Sequence, residues 1–183
     1  MVYIMLADGF EECEAVAPID MLRRAGIETA VCKVGDDSKK ALGSHGIEIG
    51  TDIHEGEIDL KKLEMLVLPG GADGVAKLYA SAAVKKAVEY CVNKNIPVGA
   101  ICAAPSIPAR LGYLSGVRAT AHPSFRHYLT ENGALLEENV KVLTDGIFTT
   151  AAGAGVSIEF GLELVRVLSG EDPPKKIAGQ ILL

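Results

Sequence analysis

The sequence predicts an α/β protein with a mostly parallel central sheet covered on both faces. Short apolar strands alternate with helices from end to end, the pattern of a parallel sheet buried between helical layers. The chemically distinctive stretches fall directly after strands, where ligands bind in such sheets. A chain of 183 residues with 49% hydrophobic content is long enough for one substantial core and too short for two. Residues 1–183 are therefore read as a single domain.

The elements follow in order. "VYIMLA" (2–7) is a buried strand, and "EAVAPIDMLRRAG" (14–26) is a helix ending at Gly26. "IETAVCKV" (27–34) is the next strand. The glycine-rich, β-branched "ALGSHGIEIGTDIHEG" (41–56) is a small hairpin. "MLVLP" (65–69) is a third strand, followed by the loop "GGADG" and a helix over 81–95. "IPVGAIC" (96–102) leads into a helix near 104–111. "RATAH", "NVKVLTD" and "GIFTTAA" are strands, with a polar helix around "SFRHYLTEN". The apolar spacing of "GVSIEFGLELVRVLSG" (155–170) predicts an amphipathic helix.

Charge and composition narrow the function. A net charge of −6 and the absence of a Lys/Arg-dense run argue against nucleic acid. No apolar run approaches the ~20 residues of a membrane span. The N-terminus lacks a signal-peptide pattern, which predicts a cytoplasmic protein. The four cysteines, at 13, 32, 91 and 102, show no C-x-x-C spacing, so neither a zinc site nor a dithiol motif is expected. Cys32 and Cys91 read as small buried hydrophobes.

Three post-strand segments can carry chemistry. In "VGAICAAPS", Cys102 ends an apolar strand and a helix follows, with Ala100 and Ala104 two residues to either side. That is the layout of a nucleophile elbow, in which a helix N-terminus favours the thiolate. The plain alternative is a buried strand cysteine. "PGGADG" is either a simple turn or a close backbone approach, in which the Gly71 N–H joins that of Ala103 as an oxyanion hole. "GFEECEA" is either a solvated helix start or the source of a carboxyl that holds the thiolate and shuttles protons. Pro18, best tolerated in a first helical turn, puts Glu14 at the loop–helix junction. Spacing alone does not choose among its glutamates.

These segments together resemble the ThiJ/PfpI superfamily, in its parkinsonism-associated protein deglycase branch. The likeness runs from "ADGFEECEAVAPIDMLRRAGI" through "LVLPGG", "VGAICAAP", "TAHPS" and "GAGVSIEFGLELV" to "AGQILL". It implies a flavodoxin-like three-layer sandwich of the class I glutamine amidotransferase type, and a homodimer. It also implies that Cys102 is the reactive cysteine, Glu14 its partner, Gly70 and Gly71 the glycine loop, and His122 the nearby histidine. Protease-like members carry a histidine directly after the nucleophile. Ala103 stands there, which disfavours a peptidase. His45 and Ala152 occupy positions where the branch often has arginine, leaving the cleft less cationic. His54 and His127 are expected on the surface.

Two functions compete. The first is a cysteine enzyme without cofactor or metal, converting small reactive aldehydes such as methylglyoxal to 2-hydroxy acids, or acting on glycated amino groups. The second is a redox-responsive chaperone or stress sensor that works through oxidation of Cys102.

Overall fold

The computed structural model describes residues 1–183. Its strands and helices are β1 (Val2–Leu6), α1 (Glu12–Arg24), β2 (Thr29–Lys33), β3 (Lys40–Leu42), β4 (Glu48–Gly50), β5 (Ile53–His54), β6 (Met65–Leu68), α2 (Ala72–Ala80) and α3 (Ala82–Lys94). They continue with β7 (Val98–Ile101), α4 (Ser106–Arg110), β8 (Arg118–Ala119), α5 (Arg126–Glu131), β9 (Leu135–Leu136), β10 (Val142–Asp145), β11 (Phe148–Ala151), α6 (Ser157–Ser169) and α7 (Asp172–Gln180). Seven strands form the central sheet in the order β10-β11-β7-β6-β1-β2-β5. All neighbours are parallel except β10 and β11, which close one edge as an antiparallel hairpin. The α/β sandwich expected from the sequence is present.

The buried strands divide their side chains between two layers. On β1, Val2, Ile4 and Leu6 join the core formed with α1, α6 and α7. Tyr3 and Met5 face the core formed with α2, α3, α4 and α5. Both faces are therefore dry, which is why these strands read as continuous apolar runs. The chain pairs β2 on one side of β1 and then returns to place β6 on the other. Their carboxyl ends consequently part at a topological switch point.

Four local features differ from expectation. Helix α1 starts at Glu12, because the Glu11 side chain accepts the Glu14 N–H at 2.8 Å and caps it. Pro18 therefore lies inside the helix rather than in its first turn. Glutamate is not a favoured cap, so the sequence signal was weak. Helix α2 was not anticipated, because Gly74 lies inside it. A Cβ there would come within 2.8 Å of the Phe10 nitrogen, so glycine is needed where α2 crosses the 9–10 loop. The expected 41–56 hairpin is confined to β3 and β4, while β5 leaves it to pair with β2. His54 is half-buried rather than solvated, and its Nδ1 accepts the Gly56 N–H at 3.2 Å.

Helices α1 and α6 pack closely because α6 presents Gly161, where a Cβ would lie 3.0 Å from the Pro18 Cα. Beside it, Phe160 is fully buried in the same core. Phe160→Ala is expected to destabilise the fold by about 3–5 kcal/mol, read as a shift of the urea midpoint with unchanged slope.

Candidate active site

Three loops meet at the carboxyl ends of β1, β6 and β7. Cys102, one residue past β7, has φ +64°, a left-handed conformation uncommon for a residue with a side chain. The turn is held by Cys102 N–H to the Ala151 carbonyl (2.8 Å), Ala104 N–H to that of Ile101 (3.0 Å) and His122 N–H to that of Cys102 (2.9 Å). Neighbours must be small for so sharp a turn, and Ala100, Ala103 and Ala104 are all buried. The Gly71 and Ala103 N–H groups point at the sulfur and favour its anion.

Gly70 sits between Cys102 and Glu14. A Cβ on it would overlap Glu14 Oε2 and lie 2.7 Å from Cys102 Cβ. Gly71, at φ +90°, has no room either, since a Cβ would meet Glu11 N at 2.7 Å. The pair is thus a consequence of close approach, and the Glu11 N–H donates to the Gly70 carbonyl at 3.0 Å.

The structure separates the three glutamates. Glu11 is spent as the helix cap. Glu12 turns away from the sulfur and accepts from the His45 backbone N–H at 2.6 Å, with His45 Nδ1 at 2.7 Å. Burial raises its pKa, but these bonds outweigh it and bring the carboxyl down to about 2. The same pairing raises the pKa of His45. Glu14 alone faces the site and is 1% exposed. The Cys102 thiol and Gly70 N–H face its carboxyl, yet neither oxygen finds a well-formed hydrogen bond.

That leaves one proton shared by two acids. Burial, with a smaller push from the Glu11 charge, raises Glu14 to about 7. Burial and the Glu14 carboxylate push the Cys102 thiol up to about 12, against the pull of the Gly71 and Ala103 N–H groups. Sulfur keeps its proton while Glu14 is ionised. When Glu14 is protonated the repulsion vanishes, and a thiolate faces two N–H donors and a carboxyl O–H. The other thiols lack this setting. Burial raises Cys32 and Cys91 to about 12, and Glu11 foremost raises the exposed Cys13.

His122 is bonded to the site through its backbone N–H and not through its ring. The imidazole is exposed, and its Nδ1 accepts the Ser124 N–H at 3.3 Å as a cap. It makes no hydrogen bond to Cys102 or Glu14. Gly153 was not singled out from the sequence, yet a Cβ there would sit 3.8 Å from His122 Cδ2 and 4.0 Å from Glu14 Oε1. Its one signal was its place in the "AAGAG" that follows a strand. Glu11, Glu12 and His45 gather ligand-type atoms within 4.8 Å of one another. Their hydrogen bonds to α1 and to each other account for that grouping.

The DJ-1/PfpI family pattern matches residues 1–167. The chain belongs to the DJ-1/PfpI family. It is 33% identical over 172 residues to protein DJ-1 homolog B of Arabidopsis thaliana, covering 93% of this chain and 38% of that protein. The chain thus spans well under half of that relative. It is 31% identical over 170 residues to a protein named a deglycase from Thermococcus kodakarensis, covering 91% of this chain and 98% of the relative. The structure of oxidised Toxoplasma gondii DJ-1 superposes with a TM-score of 0.92 at 31% identity, over 99% of this chain and 97% of that one. A DJ-1-type enzyme or stress-response role follows for the chain, on a flavodoxin-like fold.

The raised Glu14 carboxyl has a consequence for stability. The native state holds a proton that the unfolded chain releases above its ordinary value of 4.5, so stability falls as pH rises from there toward about 7. Replacing Glu14 by the neutral glutamine removes this slope. Between about pH 5 and about pH 8, wild type is expected to lose on the order of 2 kcal/mol relative to Glu14→Gln, measured by urea unfolding.

Proposed function

We propose that the chain is a cofactor-independent cysteine enzyme that converts small reactive dicarbonyls, such as methylglyoxal, to 2-hydroxy acids. The observation that carries this reading is the buried Glu14 carboxyl, raised to about 7, facing a strained Cys102 whose sulfur is met by two N–H groups. An acid–base group titrating near neutrality is what a proton shuttle requires.

The steps follow from those groups. With the proton on Glu14, the Cys102 thiolate adds to the aldehyde carbon, forming a C–S bond and moving the carbonyl electrons onto oxygen. The Gly71 and Ala103 N–H groups stabilise that oxyanion, which takes the Glu14 proton and becomes a hemithioacetal hydroxyl. The Glu14 carboxylate then removes the hydrogen on that carbon. The resulting enediol is reprotonated at the neighbouring carbon, leaving a thioester of the 2-hydroxy acid. Water cleaves the thioester, releasing the acid and restoring the thiol. The sum is dicarbonyl plus water to 2-hydroxy acid, with no external oxidant or reductant. His122, exposed at the rim, is assigned to substrate contact and water delivery. Action on glycated amino groups is a variant of the same addition, supported by the deglycase name of the Thermococcus relative.

A second reading, a sensor or chaperone switched by oxidation of Cys102, is favoured by the similarity to a DJ-1 in oxidised form. The N–H groups at the sulfur would equally hold a sulfinate.

We also propose a homodimer, paired across an apolar groove of about 830 Å³ that includes Cys13 and Val16 of α1, Ile158 of α6, Ile47 and Leu183. Val16 and Ile47 are about half exposed, at 48% and 57%, which a lone chain would leave facing water. Light scattering at micromolar concentration is expected to give twice the 19.2 kDa chain mass, and a monomer would reject the pairing.

The enzymatic reading predicts lactate from methylglyoxal without glutathione. Cys102→Ser is expected to abolish it. Glu14→Gln should lower kcat by roughly a hundredfold or more while leaving Cys102 open to iodoacetamide. Wild-type protein that makes no lactate yet oxidises selectively at Cys102 would favour the sensor.

A further inference from the structure

On the outer surface of the layer formed by α2 to α5, a cationic cluster has no counter-charge. Arg110, the last residue of α4, lies with its guanidinium 3.6 Å from the ring centroid of Tyr79 on α2 and 5.0 Å from that of Tyr128 on α5. Lys85 on α3 places its ammonium 4.7 Å from the same Tyr79 ring. The chain has six arginines. The other five each bond a carboxylate or backbone carbonyl through the guanidinium. Arg110 is exposed and bonds to nothing.

Two features distinguish this cluster from ordinary surface charge. The guanidinium lies against the Tyr79 ring with Tyr128 farther off, and none of its N–H groups is bonded within the chain. Two cations also converge on one ring in a chain of net charge −6, and neither has a carboxylate partner. Gathering like charges without a counter-ion is unfavourable, and carboxylates paired with each of them remove that cost. The Tyr79 and Tyr128 hydroxyls make no hydrogen bond within the chain and add two more donors. The contact with Tyr79 restrains Arg110 and so lowers the side-chain entropy lost on binding.

We propose that Arg110, Lys85, Tyr79 and Tyr128 form a docking surface for an acidic segment of a partner protein. The guanidinium edge takes one carboxylate in a fork, and the Lys85 ammonium takes a second from a neighbouring residue. A peptide with adjacent acidic side chains meets both cations, whereas a single small anion spans only one of them. An extended nucleic acid would carry its remaining phosphates over an acidic protein, which the overall charge opposes.

The probe is a fluorescein-labelled hexaglutamate peptide, followed by anisotropy with the intact protein. Saturable binding at about 50 mM salt that weakens at about 200 mM is expected. Arg110→Ala should weaken it roughly tenfold, and Arg110→Lys should recover only part of the loss, because an ammonium cannot reproduce the fork. Lys85→Gln, which leaves α4 untouched, should weaken it by about threefold to tenfold, and this arm guards against a folding defect in the Arg110 variants. Three results would overturn the proposal: no binding up to about 1 mM protein, wild-type binding by Arg110→Ala, or tighter binding of an oligothymidylate of equal charge. Inorganic phosphate that displaces the peptide at equal concentration would reassign the surface to a small anion and overturn it too.

Discussion

Glu14 and Cys102 approach each other across the Cα of Gly70, and the architecture around them is arranged to keep that approach possible. A single methyl group on Gly70 would occupy the space between them. The contact brings a buried carboxyl and a partly buried thiol together with too few hydrogen bonds for both to ionise, so they share one proton. An arrangement of this kind opposes folding. It is sustained by the surrounding layers, since strain and unsatisfied polarity persist only where neighbouring structure over-determines them.

That over-determination is visible on both sides. On the Glu14 side, the loop after β1 is tied from several directions. Asp8 accepts the Lys33 ammonium at 2.6 Å and the Leu42 N–H at 3.0 Å, while its carbonyl accepts Lys77 at 2.9 Å. Lys33 is almost fully buried, so its charge depends on that partner. The β3–β4 hairpin is bound to the first turn of α1 through Glu12 and His45. On the Cys102 side, β7 lies between β6 and β11 in the middle of the sheet, and the turn beyond it is bonded to Ala151 and His122. The α1–α6 contact at Gly161 fixes the height of α1 above the sheet, and with it the position of Glu14.

The charge distribution sorts the groups by task. Three carboxyls within four residues look alike in sequence, yet each has a different environment: one caps a helix, one is ionised against a histidine, and one is dry beside sulfur. Exposed Cys13 lies within the same acidic turn, and the carboxylates that raise its pKa suppress it as a nucleophile. Cys102 differs from the other three in its left-handed backbone, its two N–H neighbours and the Glu14 carboxyl beside it, rather than in a lower thiol pKa, which burial and Glu14 push up to about 12. The exposed apolar groove beside α1 and the uncompensated cations around Tyr79 lie on different faces, so self-association and partner docking need not compete.

The order of strands and helices, the placing of sharp residues after strands, and the elbow around Cys102 were legible in the sequence. Each depends on local pattern: apolar runs for doubly buried strands, and small residues where a turn must be tight. The selection of Glu14 over Glu11 and Glu12 was not legible from spacing, because it depends on which side chain the hairpin and β6 loop leave without a partner. Likewise Gly74 hid α2, since its reason is the approach of a distant loop rather than a local preference. His122 could be assigned to the neighbourhood of Cys102 from its motif, but only the tertiary structure turned its ring to the surface while its backbone bonds the cysteine. Local chemistry thus determined the frame and the candidate cysteine. Long-range packing decided the proton, because burial and unmade hydrogen bonds are properties of the assembled fold.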